Sequence, residues 1–282
     1  MSVNYIIREM TRDDIDIAIE WAATEGWNPG LHDADSFYGT DPKGFLIGEL
    51  NNEPIATISA VKYGDTFGFI GFYIVKPEYR DKGYGIQIWN AAMEYLKGRN
   101  IGLDGVVDQQ ENYKKSGFKL AYRNIRYEGV GDKQPTCDFD TVNLSSLPFE
   151  MIDSYDRLLF PANRSKFIKL WINQSGCNAL GIMHEGKLAG YGVIRMCRTG
   201  YKIGPLFANG SELAESLFLK LSASVPSLEP VYFDVPETNQ EALAMAERYN
   251  MKVVFETARM YTAGNPDVPK EKIYGVTSFE LG

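Results

Sequence analysis

Arg80-Asp81-Lys82-Gly83-Tyr84-Gly85 sets two basic side chains and two glycines in one short run, directly before a stretch with helical periodicity. A strand, a tight glycine-containing loop and a helix N-terminus together make an anion site. The unpaired N–H groups of the first helical turn converge there, and the helix dipole adds partial positive charge. Gly83 and Gly85 remove side chains where a pyrophosphate has to approach, while Arg80 and Lys82 add charge. The spacing is R-x-x-G-x-G. It is neither G-x-x-x-x-G-K-[ST] nor G-x-G-x-x-G, which disfavours mononucleotide P-loop and dinucleotide Rossmann readings. A GxG before a helix also fits an ordinary tight turn, so the surroundings must decide.

Other reactive residue types are sparse. Two histidines, His32 and His184, cannot form a multi-His metal centre within one chain. Three widely spaced cysteines, Cys137, Cys177 and Cys197, contain no CxxC, so no metal site is expected. Their odd number fits a reducing compartment. Met1 to Met10 is polar and lacks the apolar core of a secretory signal. No stretch approaches the roughly 20 apolar residues of a membrane span. These features predict a cytoplasmic protein with no membrane partner. Acidic residues outnumber basic ones, 37 to 29, for a net charge of -8. That argues against a nucleic-acid partner, which needs a basic stripe. It suits attraction of a cationic substrate such as an amine.

The elements that position the loop can be read from periodicity and turn residues. Thr11 caps a first helix, with Asp14 in the capping-box position and Ile15, Ile19 and Ala22 at helical spacing. A long Gly/Pro-containing loop follows, running to Phe45. Phe45–Leu50, Pro54–Tyr63 and Phe67–Val75 read as an antiparallel meander, stopped by Pro77. The glycine-rich loop then leads into a helix over 86–98, with Ile86, Trp89, Met93 and Leu96 as its apolar set. A strand over 101–107, a short helix over 112–116 and a strand over 118–127 complete this half. Pro148 to Trp171 reads as helical, interrupted or restarted at Pro161. Strands over 179–183, 188–195 and 202–207, a helix over 211–223, a strand over 230–235, a helix over 239–249 and a strand over 252–263 follow. The second half thus repeats the element order of the first, a repeat at domain scale. The polar, turn-rich stretch near 131–140 is the expected linker between domains 1–130 and 141–282.

Tyr73-Ile74-Val75-Lys76-Pro77-Glu78-Tyr79-Arg80-Asp81-Lys82-Gly83-Tyr84-Gly85-Ile86 resembles the acetyl-CoA signature of the GNAT (Gcn5-related N-acetyltransferase) superfamily along its whole length. Asn112-Tyr113-Lys114-Lys115-Ser116-Gly117-Phe118 is similar to that family's Tyr-x-x-x-Gly-Phe motif and follows in the right order. The resemblance implies an α/β (α+β) fold of two tandem domains, each a mixed, mostly antiparallel twisted sheet flanked by helices. It implies a split between the strands at 67–75 and 101–107, where backbone groups of Tyr73 and Val75 hold the pantetheine arm. Acetyl-CoA would be the co-substrate, bound by residues 73–75 and 80–86. Tyr113 would protonate the departing thiolate; it also fits a core tyrosine beside Phe118. Many family members carry a basic Glu on the strand before the loop. Here Phe67-Gly68-Phe69-Ile70-Gly71-Phe72 has no acid, so a water relay or an acid from elsewhere must serve. Asp108 is the nearest candidate by sequence, and it also fits a solvated loop aspartate.

The segment after the first helix usually lines the acceptor side of this fold, which singles out Trp27, Asn28, His32, Phe37 and Tyr38. His32 can titrate near neutrality, and it equally suits a satisfied loop histidine. With the 109–113 run and the second domain, the loop is similar to a tandem-GNAT subfamily that includes the bacterial YitH-type acetyltransferases. The second copy is degraded. Its Asn209-Gly210-Ser211 junction lacks R-x-x-G-x-G, and Ala246 stands where Tyr113 does. One acyl-CoA per chain is therefore expected, on the first domain, with the second shaping the acceptor pocket. The expected activity is acetyl or short-acyl transfer to the primary amine of a small molecule. Transfer to a protein amine, or a non-catalytic acyl-CoA sensor, are the alternatives.

Overall fold

A computed structural model describes residues 4–131 and 139–282; most of the expected linker lies outside them. The first half runs β1 (Tyr5–Glu9), α1 (Arg12–Thr24), α2 (Asp33–Thr40), β2 (Phe45–Leu50), β3 (Glu53–Tyr63), β4 (Phe67–Val75), α3 (Tyr84–Tyr95), β5 (Asn100–Val106), α4 (Gln110–Lys115) and β6 (Lys119–Val130). The second runs β7 (Thr141–Asn143), α5 (Phe149–Asp156), α6 (Ser165–Trp171), β8 (Cys177–His184), β9 (Lys187–Met196), β10 (Tyr201–Ala208), α7 (Ser211–Ala223), β11 (Pro230–Pro236), α8 (Gln240–Arg248), β12 (Lys252–Tyr261) and β13 (Ile273–Gly275). The architecture is the expected α/β one of two similar halves, mostly antiparallel, with parallel pairing at β4/β5 and β10/β11.

Local chemistry explains the element ends. Thr11 accepts from the Asp14 backbone N–H while the Asp14 carboxylate accepts from the Thr11 N–H at 2.8 Å, a complete capping box. Asn239 caps α8 by accepting from the Ala242 N–H. The loop expected between Trp27 and Phe45 contains α2, whose Phe37 is fully buried and stacks on Trp171 at 5.7 Å. The 148–171 stretch resolves into two helices, α5 and α6, with an irregular connection over 157–164 that contains Pro161. In α3 the buried residues are Ile88, Trp89 and Ala92, with Leu96 at its C-cap; Met93 is half-buried and Ile86 is exposed. The core-facing stripe is thus set by positions 88, 92 and 96, which leaves Ile86 free to face a cleft.

The strand order is β1-β2-β3-β4-β5-β12-β6-β11-β10-β9-β8-β7, with β13 on β10. The halves therefore exchange their last long strands. β12 pairs with β5, from Thr257 opposite Val106 to Tyr261 opposite Gly102. β6 crosses the other way and pairs with β11, from Pro230 opposite Val130 to Pro236 opposite Asn124. One apolar core also spans both halves, joining Ile15, Phe37 and Phe72 to Trp171, Tyr191 and Phe207. Buried arginine–aspartate pairs reinforce the junction: Arg195–Asp33 at 2.9 Å, Arg259–Asp104 at 2.6 Å and Arg126–Asp234 at 2.6 Å.

Candidate active site

β4 and β5 pair in parallel from Phe67 opposite Asn100 only as far as Ile70 opposite Leu103. Beyond that register the strands part. Phe72 takes a positive φ of 48°, and the β3/β4 register shifts opposite it. Residues 72–75 thus present one strand edge without a β5 partner. An extended ligand can add to such an edge through main-chain hydrogen bonds.

A cavity of about 710 Å³ opens along this split. β4 contributes Tyr73, Ile74 and Val75, the glycine-rich loop contributes Arg80, Asp81, Gly83 and Gly85, and α3 contributes Ile86 and Trp89. Gly83 is the N-cap of α3 and sits in the left-handed region at φ 83°, where a β-carbon is costly. A Cβ on Gly85 would lie 2.7 Å from the Tyr73 hydroxyl and 3.1 Å from Val75. The missing side chains therefore make a cradle at a helix N-terminus whose first-turn N–H groups no side chain caps. Such a cradle offers free N–H groups to an anion. Arg80 is held there by its Nε donation to the Val75 carbonyl at 2.8 Å and by pairing with Glu25. Lys82 and Tyr84 do not line the cavity; Lys82 lies over the Tyr79 ring and Tyr84 packs against Tyr5.

Tyr113 lines the same cavity from α4 and stacks on Trp89 at a centroid distance of 5.6 Å. Burial, with a smaller contribution from the neighbouring Tyr73, pushes its phenol up to about 12. It therefore stays protonated throughout the physiological range and can donate to a ligand in the split.

Among the residues expected on the acceptor side, Trp27 lines the cavity. Its carbonyl accepts from Arg126 Nη1 at 2.7 Å, and the Asn28 carbonyl accepts from Lys202 Nζ at 2.8 Å. The Asn28 side chain bridges to Thr199, donating to its carbonyl and accepting from its N–H, each at 2.9 Å. Asn28 thus ties the halves together. His32 is exposed beside Gly176, Phe37 belongs to the core, and Tyr38 is half-buried outside the cavity. Asp108 is exposed in the turn before α4 and does not line the cavity.

The rest of the wall comes from far along the chain. Phe255 and Thr257 on β12 and Phe279 and Glu280 in the last segment all line the cavity. The Thr257 hydroxyl is buried without a hydrogen-bond partner. Asp104 on β5 also faces it, held by Arg259 at 2.6 and 2.8 Å and by the Asn124 amide at 2.7 Å. No sequence motif marks these positions. They reach the site only through strand exchange and the path of the last residues.

The second half has the matching parallel pair, Tyr201–Val231 to Ile203–Phe233 between β10 and β11. Past it, β13 pairs antiparallel with β10, Leu206 opposite Gly275 and Phe207 opposite Ile273. The chain's own strand fills the place that stays open in the first half. At the β10–α7 junction the N-cap Gly210 has an extended backbone, in contrast to left-handed Gly83. Among the described residues, no cluster of three or more His, Cys, Asp and Glu side chains could hold a metal, and no helix is long and apolar enough to cross a membrane.

Comparison with known proteins agrees with this geometry. Residues 12–118 match the acetyltransferase (GNAT) family and residues 152–275 match an acetyltransferase (GNAT) domain. A holothin acyltransferase from Pseudoalteromonas sp. (strain SANK 73390) is 32% identical over 266 residues, covering 94% of this chain and 90% of that protein. The uncharacterized N-acetyltransferase YitH of Bacillus subtilis is 26% identical over 59% of this chain and 60% of its own length. The crystal structure of a putative acetyltransferase from Pyrococcus horikoshii superimposes with a TM-score of 0.83 at 24% identity, covering 99% of this chain and 96% of that one. The chain belongs to the GNAT family and carries two GNAT domains. It is an acyl-CoA-dependent N-acyltransferase.

Proposed function

We propose that the first half binds acetyl-CoA, or another short acyl-CoA, and transfers the acyl group to the primary amine of a small molecule. The observation that carries this reading is one cavity that joins the unpaired β4 edge, the Gly83–Gly85 cradle and Tyr113. The pyrophosphate would lie at the α3 N-terminus, with Arg80 adding charge from the cavity wall. The pantetheine arm would pair with Tyr73 and Val75. The thioester would then lie between β4 and β5, beside Tyr113.

Attack of a positioned amine on that thioester needs no covalent enzyme intermediate. Proximity lowers its barrier, and backbone N–H groups at the split can polarise the carbonyl. A phenol near 12 is a weaker acid than a thiol of about 8.5. Tyr113 therefore shares its proton with the sulfur as the C–S bond breaks, which stabilises the developing thiolate. The acceptor side is lined by Trp27, Phe255 and Phe279, with Thr257 as an unpaired polar anchor. That lining suits a small amine with an apolar or aromatic body. Holothin, for which the 32% identical relative is named, heads the panel of acceptors to test. The test is release of free CoA thiol from acetyl-CoA across holothin and a set of aliphatic and aromatic amines. Turnover of at least one is expected; binding of CoA with no turnover of any would support a sensor instead.

A further inference from the structure

The chemistry needs a proton acceptor that β4 does not supply. We infer that Glu280, delivered by the last segment of the chain, is the general base for the acceptor amine; this rests on the acyl-transfer reading above.

Four carboxylates line the cavity: Glu25, Asp81, Asp104 and Glu280. Glu25 is paired with Arg80, and Asp104 is held by Arg259 and Asn124. Asp81 is exposed at the mouth, in the phosphate loop. Glu280 is 3% exposed, yet it lines the cavity. Among the described residues, no hydrogen bond and no ion pair within 4.0 Å engages its carboxylate. It alone among the four is sheltered and free of a hydrogen bond or close ion pair, while the buried guanidinium groups of Arg126 and Arg195 lie near enough to feel its charge.

Its placement is built rather than incidental. The Glu280 backbone lies directly against Gly71 on β4. A Cβ on Gly71 would come 2.1 Å from the Glu280 carbonyl oxygen and 2.9 Å from its Cα. The strand that lacks an acid thus has a glycine at the point where the tail crosses it. Both sides of Glu280 are anchored. Tyr63 donates to the Leu281 carbonyl at 3.0 Å, and Arg164 donates to the Thr277 hydroxyl at 3.0 Å and the Gly282 carbonyl at 3.1 Å. β13, just upstream, is fixed on β10.

The step balances without a further reactant. The amine nitrogen forms a bond to the thioester carbonyl carbon, and the proton it sheds passes to a Glu280 carboxylate oxygen. The C–S bond then breaks with its electron pair on sulfur, which is hydrogen-bonded by Tyr113. Tyr113 gives its proton to the sulfur, and the proton held by Glu280 returns through solvent to Tyr113, so the amide and free CoA thiol leave with both side chains in their starting states. The charges that act on Glu280 are Arg126 on β6 and Arg195 on β9; behind them lie Asp33, Lys202 on β10, Asp234 on β11 and the buried thiol of Cys197, while Asp104 and the phenol of Tyr113 face the cavity itself.

The test uses the full chain, acetyl-CoA and the amine turned over best by the wild type. Glu280→Gln is expected to lower kcat/KM about 100-fold with CoA affinity unchanged, and its residual rate should follow the fraction of free amine as pH rises. Glu280→Ala should regain activity with added formate, which a purely structural defect would not. Gly71→Ala, which displaces the Glu280 backbone, should show a loss of the same kind. Should the Gln variant prove unstable, Glu280→Asp keeps the charge and is expected to lose at least tenfold. Glu280→Gln or Glu280→Asp within threefold of wild type, with an unchanged pH profile, would overturn the role of Glu280 alone. Absence of turnover by the wild type with every amine would overturn the acyl-transfer reading and this inference together.

Discussion

At the scale of single residues, the site combines a phenol that holds its proton with a loop that gives up side chains. Tyr113→Phe removes the hydroxyl and keeps the ring stacked on Trp89. We expect a fall in kcat of about 100-fold, with acetyl-CoA affinity unchanged by calorimetry. Gly83→Ala forces a β-carbon into the left-handed region, at a cost of about 1–2 kcal/mol. It should weaken acetyl-CoA binding about tenfold while leaving the rate at saturation near wild type, read as KM against kcat. The loop and Tyr113 were legible because each is a contiguous motif with a fixed order. Glu280, Phe255 and Thr257 were not. Each lies in an ordinary apolar or polar run, and their meaning comes from contacts with the other half of the chain, such as Phe255 opposite Arg126, Thr257 opposite Val106 and Glu280 against Gly71. Trp27 stood out as an aromatic inside a Gly/Pro loop; Phe37 stood out for the same reason and proved to be core.

At the scale of elements, strands and helices bounded by clear punctuation were read closely, as with Phe45–Leu50, Phe67–Val75 and Ser211–Ala223. α2 escaped because its sequence, Asp-Ala-Asp-Ser-Phe-Tyr-Gly-Thr, is short and polar, and its helicity is tied to tertiary contacts. Asp33 at its first turn accepts from Arg195 and from the Gly30 N–H. The short strands β1, β7 and β13 carry too few residues for alternation to show. The start of α1 offers a prediction about acid. Arg8 hydrogen-bonds Asp14 and, with the cap at Thr11, draws its carboxyl down to about 2. The folded state therefore binds this proton less readily than the unfolded chain, whose ordinary value is near 4. Its contribution to stability is complete above about pH 4 and is lost as pH falls through about 2. Urea midpoints measured from pH 6 to pH 2 should fall less steeply for Asp14→Asn than for the wild type. Equal slopes would count against a stabilising Asp14.

At the scale of the molecule, the repeat was legible as an order of elements, but the exchange of β6 and β12 was not. Register across halves depends on long-range packing that no local pattern records. The exchange makes the halves interdependent. Residues 1–130 alone lack the strand that completes β5, and residues 141–282 alone lack the strand that completes β11. Each fragment expressed singly should be largely unfolded by circular dichroism, and the two co-expressed should co-purify with acyl-CoA binding restored. A stable first-half fragment that binds CoA would contradict this. The buried pairs act at the same scale. Arg195→Met removes the ionic partner of Asp33 at a site where both side chains are 2% exposed or less, leaving, among the described residues, only the Gly30 N–H to satisfy the carboxyl. A loss of about 3–5 kcal/mol is expected in urea unfolding.

The crossed strands also govern how the protein is made. The edge of β5 that ends at Val106 finds its neighbour only at Thr257, roughly 150 residues later in synthesis. At ribosomal rates of about 5–20 residues per second, that edge waits for on the order of 10–30 s. During this interval the nascent chain offers an apolar, unpaired strand that would bind another copy of itself as readily as its own β12. Yield in the cell should therefore depend on chaperone capacity and on translation speed between Val106 and Thr257, even where the finished fold is stable.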